Sequence, residues 1–573
     1  MYFQPSNSKE SRTFDAIVVG SGISGGWAAK ELTEKGLKTI VLERGRNVEH
    51  VKDYPTMNDD PWDLPNGNQV PAEILQKDYP KQSRTGYTIR PSHKHFFVND
   101  TDHPYEETQR FDWIRGYQVG GRSLVWGRQS YRWSAMDFEA NAKEGVAIPW
   151  PVSYDEIAPW YDYAESFAGI SGEKLGLPQL PDGKFLKPME LNCVETHLRN
   201  EIAKHYDDRV LTIGRAAHLT ERLEHSPQRG TCQYRNRCMR GCPYGAYFSS
   251  QSATLPAAEK TGNLTLQPHA IVYEIIYDED SGKAKGVKVI DAETKEQTEY
   301  YAKVIFICAS AIASSWILMN SKSNRFPNGL GNDSGELGHN IMDHHFHVGA
   351  RGTHDGFQDQ YYTGRRPNGI YIPRFRNLNE ATKQNYLRGF GYQGGADRDK
   401  WWRGNGNNEF GGEFKDGLFE PGGWNMNLLA FGECLPYHEN KFTLNDDKKD
   451  QWGLPTITFD ATFRENEMEM RKDMKASAAE MLEKAGFKNI NTYERNHDGI
   501  GLGIHEMGTA RMGADPKTSV VNKYNQVHGC PNVFVTDGSF MTSSACQNPS
   551  LTYMAFTARA ADHAVKELNK QNI

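Results

Sequence analysis

Residues 14–46 read FDAIVVGSGISGGWAAKELTEKGLKTIVLERGR, and this stretch predicts a strand, a glycine-rich turn, a helix and a second strand. Gly20 suits a tight turn, Gly22 a close backbone approach to a pyrophosphate, and Gly25 close packing of the helix on the strand. Glu43 ends the second strand, close to the separation expected of an acid that binds a ribose 2′-hydroxyl. The stretch therefore predicts a βαβ unit that binds a dinucleotide, and the glycines leave NAD and FAD both open.

The composition indicates a folded chain of several domains. The 573 residues include 66 Lys and Arg against 73 Asp and Glu, for a formal net charge of −7, and 38% of the residues are hydrophobic. No long run of one charge sign is present, so we expect no nucleic-acid partner. No apolar run approaches the roughly 20 residues of a membrane span. The polar start lacks the apolar core of an export signal, and residues 1–11, which resemble a tag remnant, are left out of the fold prediction.

Three other regions have interpretable patterns. Residues 262–308 contain three strand-like runs separated by turn signals, which predict a β-meander that returns to the nucleotide-binding unit. Residues 464–486 predict a helix whose methionines belong to the core. Residues 351–432 are irregular and rich in glycine, which suits a second domain with loops and aromatic platforms. The aromatic residues of this last region include Tyr361, Tyr362, Trp401, Trp402 and Trp424.

Four further motifs extend the pattern of the first βαβ unit. They are GYQVGGRSLVWG (116–127), ELGHNIMDHH (336–345), GIHEMGTARMG (503–513) and NVFVTDGSFMTSSACQNPSLTYMAFTARAADHAV (532–565). Together with VVGSGISGG (18–26), and in this order, they resemble the glucose-methanol-choline family of flavoprotein oxidoreductases over nearly the whole chain. Because that family binds FAD, the resemblance implies FAD rather than NAD.

The resemblance also implies an α/β fold with two discontinuous domains. One is a Rossmann-like FAD-binding domain, and the other is an α+β substrate-binding domain built on an antiparallel sheet. The FAD-binding domain is predicted to comprise residues 12–50, 110–150, 230–350 and 495–573, with the substrate-binding domain and its cleft loops in residues 51–109, 151–229 and 351–494.

The residues that hold FAD follow from the resemblance motif by motif. Some sugar-oxidising members carry a histidine that bonds covalently to the flavin at the position of Val125, so non-covalent FAD is expected here. The implied FAD contacts are Gly20, Gly22, Gly25 and Glu43 at the ADP half with Arg44 beside them, Val272 at the adenine side, Gly120, Gly121 and Ser123 between pyrophosphate and ring, Asp537 at the ribityl or phosphate region, and Asn548.

His505 and Asn548 are the residues to which the resemblance assigns the chemistry. It implies that His505 faces the substrate beside the flavin N5 atom and that Asn548 hydrogen-bonds the same substrate oxygen. Oxidation of an alcohol needs a base that takes the hydroxyl proton while hydride leaves the carbon, and an imidazole suits this role. Asn548 and Pro549 also predict a helix start, whose positive end favours an anionic reduced flavin. The alternative for His505 is a structural role, as a buried histidine whose hydrogen bonds are all made within the protein.

A histidine-rich run invites a metal-site interpretation. Zinc sites usually show a defined CxxC or HxxxH spacing, and this run lies within a motif of the family's flavin domain. We therefore expect it to shape a loop. Its members are His339, His344, His345 and His347.

Three of the eight cysteines lie within GTCQYRNRCMRGCPYGAYFSS, residues 230–250. A disulfide with one free thiol, a zinc site and an iron–sulfur cluster are the competing interpretations. No fourth zinc ligand stands close in sequence, whereas the C-x3-C-P ending is similar to ferredoxin runs and three thiolates suit a [3Fe-4S] cluster. The three cysteines are Cys232, Cys238 and Cys242, and the neighbouring Arg235, Arg237 and Arg240 favour thiolates and an anionic cluster.

The resemblance reaches further to bacterial FAD glucose dehydrogenases and glucoside 3-dehydrogenases, a subgroup with such a cluster. It implies a dehydrogenase that oxidises a secondary sugar hydroxyl, C3 of a glucoside or disaccharide, and passes electrons through the cluster to an external acceptor such as cytochrome c. In that subgroup a small partner subunit carries the export signal, so a periplasmic location is expected, with a cytoplasmic one as the alternative. A C1-oxidising aldose dehydrogenase or a sugar oxidase shares the motifs. A non-catalytic flavin-fold subunit with structural zinc is the alternative from another class.

Overall fold

Three β-sheets organise the chain. The computed structural model describes residues 10–360, 368–399, 401–404, 410–495 and 498–573. The strands are β1 Thr13–Val19, β2 Thr39–Leu42, β3 Glu106–Glu107, β4 Thr212–Ile213, β5 Leu264–Gln267, β6 Ala270–Asp278, β7 Lys283–Asp291, β8 Gln297–Ile307, β9 Val348–His354, β10 Ile370–Ile372, β11 Phe390–Arg398, β12 Trp424–Gly432, β13 Lys441–Lys449, β14 Pro455–Asp460, β15 Lys488–Glu494, β16 Gln526–Val527 and β17 Cys530–Val535. The α-helices are α1 Ile23–Glu34, α2 Ala72–Asp78, α3 Ala135–Glu144, α4 Tyr154–Ala168, α5 Cys193–His205, α6 Leu255–Lys260, α7 Ala311–Asn320, α8 Gly412–Phe419, α9 Glu465–Lys484 and α10 Ser550–Asn569.

The largest sheet has eight strands and contains the predicted βαβ unit. β1 pairs in parallel with β2 and with β8, and β5 and β17 extend the parallel part on its two sides. β6, β7 and β8 form the predicted antiparallel meander. The parallel strands are apolar throughout because helices cover the sheet, with α1 and α10 packing together against Val18 and Phe306.

The second sheet has six strands, all antiparallel, in the order β15-β9-β12-β11-β10-β4. Helices α5 and α9 cover it and share its hydrophobic core. The predicted methionine stripe of α9 is confirmed as core, and the helix ends just before Gly486, whose φ is +76°. Its fully buried members are Met470, Met474, Ala478 and Met481.

The predicted α/β fold with a second, antiparallel-sheet domain is therefore confirmed. The first sheet takes its strands from residues 13–42, 264–307 and 526–535, and the second takes them from residues 212–213 and 348–494. A third sheet, β13-β14-β3, has three strands. In the part of the chain that the structure describes, no helix is both long and apolar enough to cross a bilayer.

Candidate functional site

A cavity of about 820 Å³ lies where the parallel strands β1, β2, β8 and β17 end. This edge of an open α/β sheet is where such folds bind ligands. Gly25 and Gly120 lie behind the cavity wall, whereas the other residues singled out from the sequence for FAD and for catalysis line it. These lining residues are Gly20, Gly22, Glu43, Arg44, Gly121, Ser123, Val272, Asp537, His505 and Asn548.

The three glycines after β1 have different surroundings. Gly20 has φ +91° and makes the turn. A Cβ on Gly25 would lie only 1.9 Å from the carbonyl oxygen of Gly20, so only glycine allows the helix to approach the turn this closely. A Cβ on Gly22 would meet no atom within 4 Å, because this residue faces the cavity. The backbone at Gly22 is therefore open to a bound group.

Glu43 connects the loops at one end of the cavity through hydrogen bonds. Its carboxylate accepts hydrogen bonds from the backbone N–H groups of Ser21, at 3.0 Å, and Gly45, at 2.9 Å. The Ser21 hydroxyl also donates to Glu43 and accepts from the N–H of Gly120 at 2.9 Å. Burial raises the pKa of Glu43, and these hydrogen bonds oppose that effect. Gly120 thus supports the site from behind the wall.

Arg44 lies between two aromatic rings at the same end of the cavity. Its guanidinium carbon is 4.7 Å from the ring centre of Tyr117 and 5.0 Å from that of Trp452. Asp450 lies 3.5 Å from the guanidinium. These contacts hold a positive side chain at the cavity wall.

The remaining predicted cofactor residues are buried in the wall. Asp537 accepts hydrogen bonds from the Ser314 hydroxyl and, at 3.0 Å, from the backbone N–H of Ser539. Ser123 accepts from the backbone N–H of Ser250 at 3.1 Å. Val272 lies on β6 and is 5% exposed. Burial raises the pKa of Asp537.

His505 belongs to a chain of hydrogen bonds whose donors and acceptors can be assigned. The Nε2 atom of His344 contacts the carbonyl oxygen of Ala545, which can only accept, so His344 carries its proton on Nε2. Its Nδ1 atom then accepts from Nδ1 of His505 at 2.7 Å. His505 therefore carries its proton on Nδ1, which leaves Nε2 unprotonated at the cavity.

Asn548 and Gln393 complete this chain on the other side of His505. Nε2 of Gln393, on β11, donates to Oδ1 of Asn548 at 2.7 Å. The amide nitrogen of Asn548 consequently faces Nε2 of His505, at 3.2 Å. The predicted helix cap at Asn548 is wrong. Helix α10 begins at Ser550 and receives no side-chain cap, because the Asn548 amide is engaged by His505 and Gln393.

Asp343 holds the loop that carries His505. One carboxylate oxygen accepts from the backbone N–H groups of Gly501, at 2.8 Å, and Gly503, at 2.9 Å. The other accepts from the N–H groups of His505, at 3.0 Å, and His344, at 2.8 Å. A single buried side chain therefore sets the positions of both histidines.

His344 and His505 are both held in the neutral form. Burial lowers the pKa of His344 to about 4. Burial, the neighbouring His344 and the cation of Arg122 together lower the pKa of His505 well below its usual value. Arg122 is held beside the cavity by a two-pronged ion pair with Glu506, at 3.0 Å. Neutral imidazoles are what the hydrogen-bond directions require.

Sequence reasoning missed His344, Gln393 and Arg122. The signal for His344 was present, because it lies in the quoted ELGHNIMDHH motif, but loop shaping was the interpretation chosen. That interpretation is incomplete, since His344 contacts His505 and His347 lines the cavity with its Nδ1 atom 2.6 Å from Asp498. No local pattern marks Gln393, which lies in an irregular region of the sequence.

The aromatic region 351–432 differs in part from the prediction. Trp424 is 2% exposed and donates its indole N–H to the carbonyl oxygen of Phe357 at 2.9 Å, so it belongs to the core rather than to a binding surface. Phe431 does line the cavity. Tyr361, Tyr362 and the side chains of Trp401 and Trp402 lie outside the described residues.

The three cysteines of residues 230–250 line one small pocket together with His218. They are Cys232, Cys238 and Cys242, and all three are free thiols. Burial raises the pKa of the Cys232 thiol to about 11 and also raises that of Cys238. Among the described residues, no three His, Cys, Asp or Glu side chains are arranged to hold a single metal ion.

The arginines named from the sequence lie at the cysteine pocket, which Arg235 and Arg237 help to line, but the guanidinium groups of all three are directed elsewhere. They reach instead to the segment 57–60, where their partners are Met57 O and Asn58 for Arg235, Asn58 O and Asp60 for Arg237, and Asp59 O for Arg240. The charges that act most strongly on the thiols belong to the buried Arg128 and Arg229. Burial lowers the pKa of Arg229 to about 9.

A parallel sheet with a ligand cavity at its carboxyl edge, and a neutral histidine aimed into that cavity, define a dinucleotide-dependent oxidoreductase. Two family models described as GMC oxidoreductase match residues 14–346 and 436–557. The chain therefore belongs to the GMC oxidoreductase family, whose members use FAD.

Curated relatives match over almost the full length of the chain. A 2-methyl-1,2-propanediol dehydrogenase from Mycolicibacterium austroafricanum is 28% identical over 96% of this chain and 94% of its own. The large subunit of fructose dehydrogenase from Gluconobacter japonicus is 25% identical over 98% of this chain and 100% of its own. The gluconate 2-dehydrogenase flavoprotein of Pantoea cypripedii is 24% identical over 99% of this chain and 95% of its own.

Solved structures support the fold alone. A pyridoxine 4-oxidase from Mesorbium loti superposes with a TM-score of 0.61 at 16% identity, covering 96% of this chain and 99% of that one. The two-domain GMC architecture is thus shared across low sequence identity.

Proposed function

We propose that this protein is a sugar dehydrogenase that uses FAD to oxidise a secondary hydroxyl, at C3 of a glucoside or disaccharide, to a keto group. In this proposal, electrons leave through a [3Fe-4S] cluster to an external one-electron acceptor such as cytochrome c. The observation that carries the proposal is the unprotonated Nε2 of His505, directed by the hydrogen-bond chain into a cavity lined by the predicted FAD residues.

The cavity fits FAD. Gly22 leaves space for a pyrophosphate, since a Cβ there would meet no atom within 4 Å, and Glu43 lies at the end of β2 where a ribose hydroxyl is bound in such folds. Gly20, Gly121 and Asp537 line the same cavity. When bound, FAD supplies the two-electron acceptor for the hydride that leaves the substrate carbon.

The proton of the substrate hydroxyl has a defined destination. Nε2 of His505 accepts it, and the Nδ1 proton of His505 remains donated to His344. The amide N–H of Asn548, now 3.2 Å from Nε2, is placed to donate to the substrate oxygen as charge develops on it. The protein thereby holds base and donor on one side of the reacting oxygen.

The choice of a sugar as substrate rests on the relatives and on the cavity wall. Fructose dehydrogenase and gluconate 2-dehydrogenase match the chain over nearly its full length. Trp126, Phe346 and Phe431 supply aromatic surface, on which sugar rings stack. The C3 position follows from the resemblance to glucoside 3-dehydrogenases, and a C1-oxidising aldose dehydrogenase is the second candidate.

The electron route is proposed from the cysteine pocket. Its donor set of three thiols, beside buried cationic side chains, is chemically suited to an anionic iron–sulfur group. Met239, next to Cys238, lines the large cavity, so the cysteine segment adjoins the FAD site. A small partner subunit, a cytochrome acceptor and a periplasmic location complete the proposal.

The test is to purify the protein without oxygen and add methyl glucoside, a disaccharide or free glucose. We expect glucosides to bleach the flavin and to give a product that NMR identifies as a 3-keto sugar, with reduction of cytochrome c and little peroxide. Oxidation at C1 would select the aldose dehydrogenase, and stoichiometric peroxide a sugar oxidase. A flavin that no sugar or alcohol reduces would overturn the proposed activity.

Replacing Gln393 with Leu is expected to lower kcat about tenfold with the flavin content unchanged. Without Gln393 the amide of Asn548 is free to turn, and one hydrogen bond is worth about 0.5–1.5 kcal/mol. A double-mutant cycle with Asn548→Ala provides the control. The two substitutions should be strongly non-additive, and additive effects would contradict a role for Gln393 through Asn548.

The pH profile of kcat/KM is expected to stay flat as the pH falls through the ordinary histidine value of about 6.5. His505 acts as a base only when unprotonated, and its lowered pKa keeps it unprotonated under mildly acidic conditions. Activity should therefore fall only below this value, as the imidazole gains a proton. An acid limb with a midpoint near the ordinary histidine value of about 6.5 would contradict this environment.

A further inference from the structure

The cysteine pocket is flanked by more buried positive charge than the protein neutralises. Arg128 and Arg229 are 6% and 1% exposed. Within the described chain, neither forms an ion pair with an Asp or Glu side chain. Arg229 donates to the carbonyl oxygens of Gly245 and Ala168, both at 3.0 Å, and Arg128 lies 5.0 Å from the ring centre of Tyr247. Burying unpaired charge is costly, so a counter-charge is missing here.

Several N–H groups in the same place also lack an acceptor. Nε and Nη1 of Arg128 and Nη2 of Arg229 are buried without a hydrogen-bond partner in the part of the chain that the structure covers, as is the ring atom Nδ1 of His218. Nε2 of His218 lies 3.8 Å from the sulfur of Cys238. Each unsatisfied buried donor costs about 1–3 kcal/mol, and more when it is charged. Their concentration beside three thiols points to an electron-rich acceptor.

One arginine within the cysteine loop, Arg237, provides a contrast. Arg237 is paired with Asp60 and also donates to a backbone carbonyl, and its side chain is 22% exposed. Its charge is therefore compensated within the protein and partly screened by solvent. Arg128 and Arg229, in contrast, are both deeply buried and lack a carboxylate partner among the described residues. Arg128 lies far from the cysteine loop in the sequence, and Arg229 directly precedes it.

We propose that Arg128 and Arg229 are the counter-charges of the anionic group that the three cysteines hold, and that they raise its reduction potential. The inference rests on the proposed function, in which that group is a [3Fe-4S] cluster. One-electron reduction adds a negative charge to the cluster, and buried guanidinium groups stabilise the reduced form more than the oxidised form. Arg128 also lines the large cavity, so its charge lies between the FAD site and the cysteines.

The test compares charge-removing and charge-keeping variants of the holoprotein. Arg128→Gln and Arg229→Gln remove the charge, whereas Arg128→Lys and Arg229→Lys keep it. The midpoint potential of the cluster is measured by redox titration with dithionite, followed by electron paramagnetic resonance. We expect each Gln variant to shift the electron-transfer equilibrium about tenfold toward the oxidised cluster, about 59 mV for a one-electron couple. The Lys variants should recover most of this shift, and Arg237→Gln should change the potential much less, because Arg237 is paired with Asp60 and partly exposed to solvent.

Iron content of each variant decides the remaining outcomes. Loss of iron in the Gln variants that the Lys variants restore supports the inference, because the charge is then needed to retain the group. Unchanged potentials at full iron content overturn it, as does equal loss of iron in Gln and Lys variants. If the wild-type protein contains no iron, the inference is wrong. Bleaching of the flavin by a glucoside in the same sample then still decides the proposed dehydrogenase activity.

Discussion

Replacing His505 with Ala is expected to lower kcat by about 10²–10⁴-fold, the usual contribution of general acid–base catalysis. The variant loses the Nε2 atom that accepts the hydroxyl proton, while the residues that hold FAD remain in place. Steady-state kinetics with a glucoside and an artificial acceptor give the rate. The flavin-to-protein ratio, measured on the same sample, should stay at the wild-type value.

Two histidines of the ELGHNIMDHH motif serve as graded controls. His344→Phe removes the acceptor that keeps the proton of His505 on Nδ1, so a smaller loss of kcat and an altered pH profile are expected. His339 does not line the cavity: its ring stacks on His438 and its Nδ1 atom contacts the carbonyl oxygen of His438, so His339→Asn should behave like the wild type. Equal activity of the His505→Ala variant and the wild type would contradict the assignment of the base.

Substituting Gly25 and Gly22 with Ala is expected to separate folding from cofactor binding. The added Cβ at Gly25 would lie 1.9 Å from the backbone oxygen of Gly20, so the helix must shift, at a cost of about 3 kcal/mol in the free energy of unfolding. At Gly22, φ is −67° and no atom lies within 4 Å of the added Cβ, so the fold should tolerate alanine.

The expected results are opposite for the two positions. Gly25→Ala should unfold at lower urea concentration and carry little flavin, whereas Gly22→Ala should unfold like the wild type and bind FAD at least tenfold more weakly. Urea unfolding of flavin-free protein and flavin titration measure the two quantities separately. Normal FAD affinity in Gly22→Ala would show that the pyrophosphate does not approach the backbone there.

The fold was largely predictable because its signals are local. The glycine spacing after β1, the apolar strands and the helical methionine stripe each depend on residues close together in the chain, and all three appear in the structure. The start of α10 was misplaced because an asparagine before a proline favours a cap locally. In the folded protein, the side chain of Asn548 instead binds Gln393 and His505.

The site could be predicted only in part for the same reason. Cys232, Cys238 and Cys242 were visible as a cluster, and their loop contains three arginines, which made those arginines the natural counter-charges. In the structure their guanidinium groups bind residues 57–60, although Arg235 and Arg237 still line the cysteine pocket, and the buried Arg128 and Arg229 add positive charge near the thiols. Local charge density therefore indicated a positively charged environment, and the structure adds two buried arginines that lie outside the loop.

By itself, the sequence determined the class of protein: a βαβ dinucleotide unit, motifs in the order of the GMC family, and the candidates His505 and Asn548. Only the tertiary structure decided which nitrogen of His505 is unprotonated, because His344 lies 161 residues away in the chain and Gln393 lies 155 residues from Asn548. Proton position and charge compensation depend on contacts between distant segments. Such contacts leave no periodicity or spacing in the sequence, and folding alone brings them together.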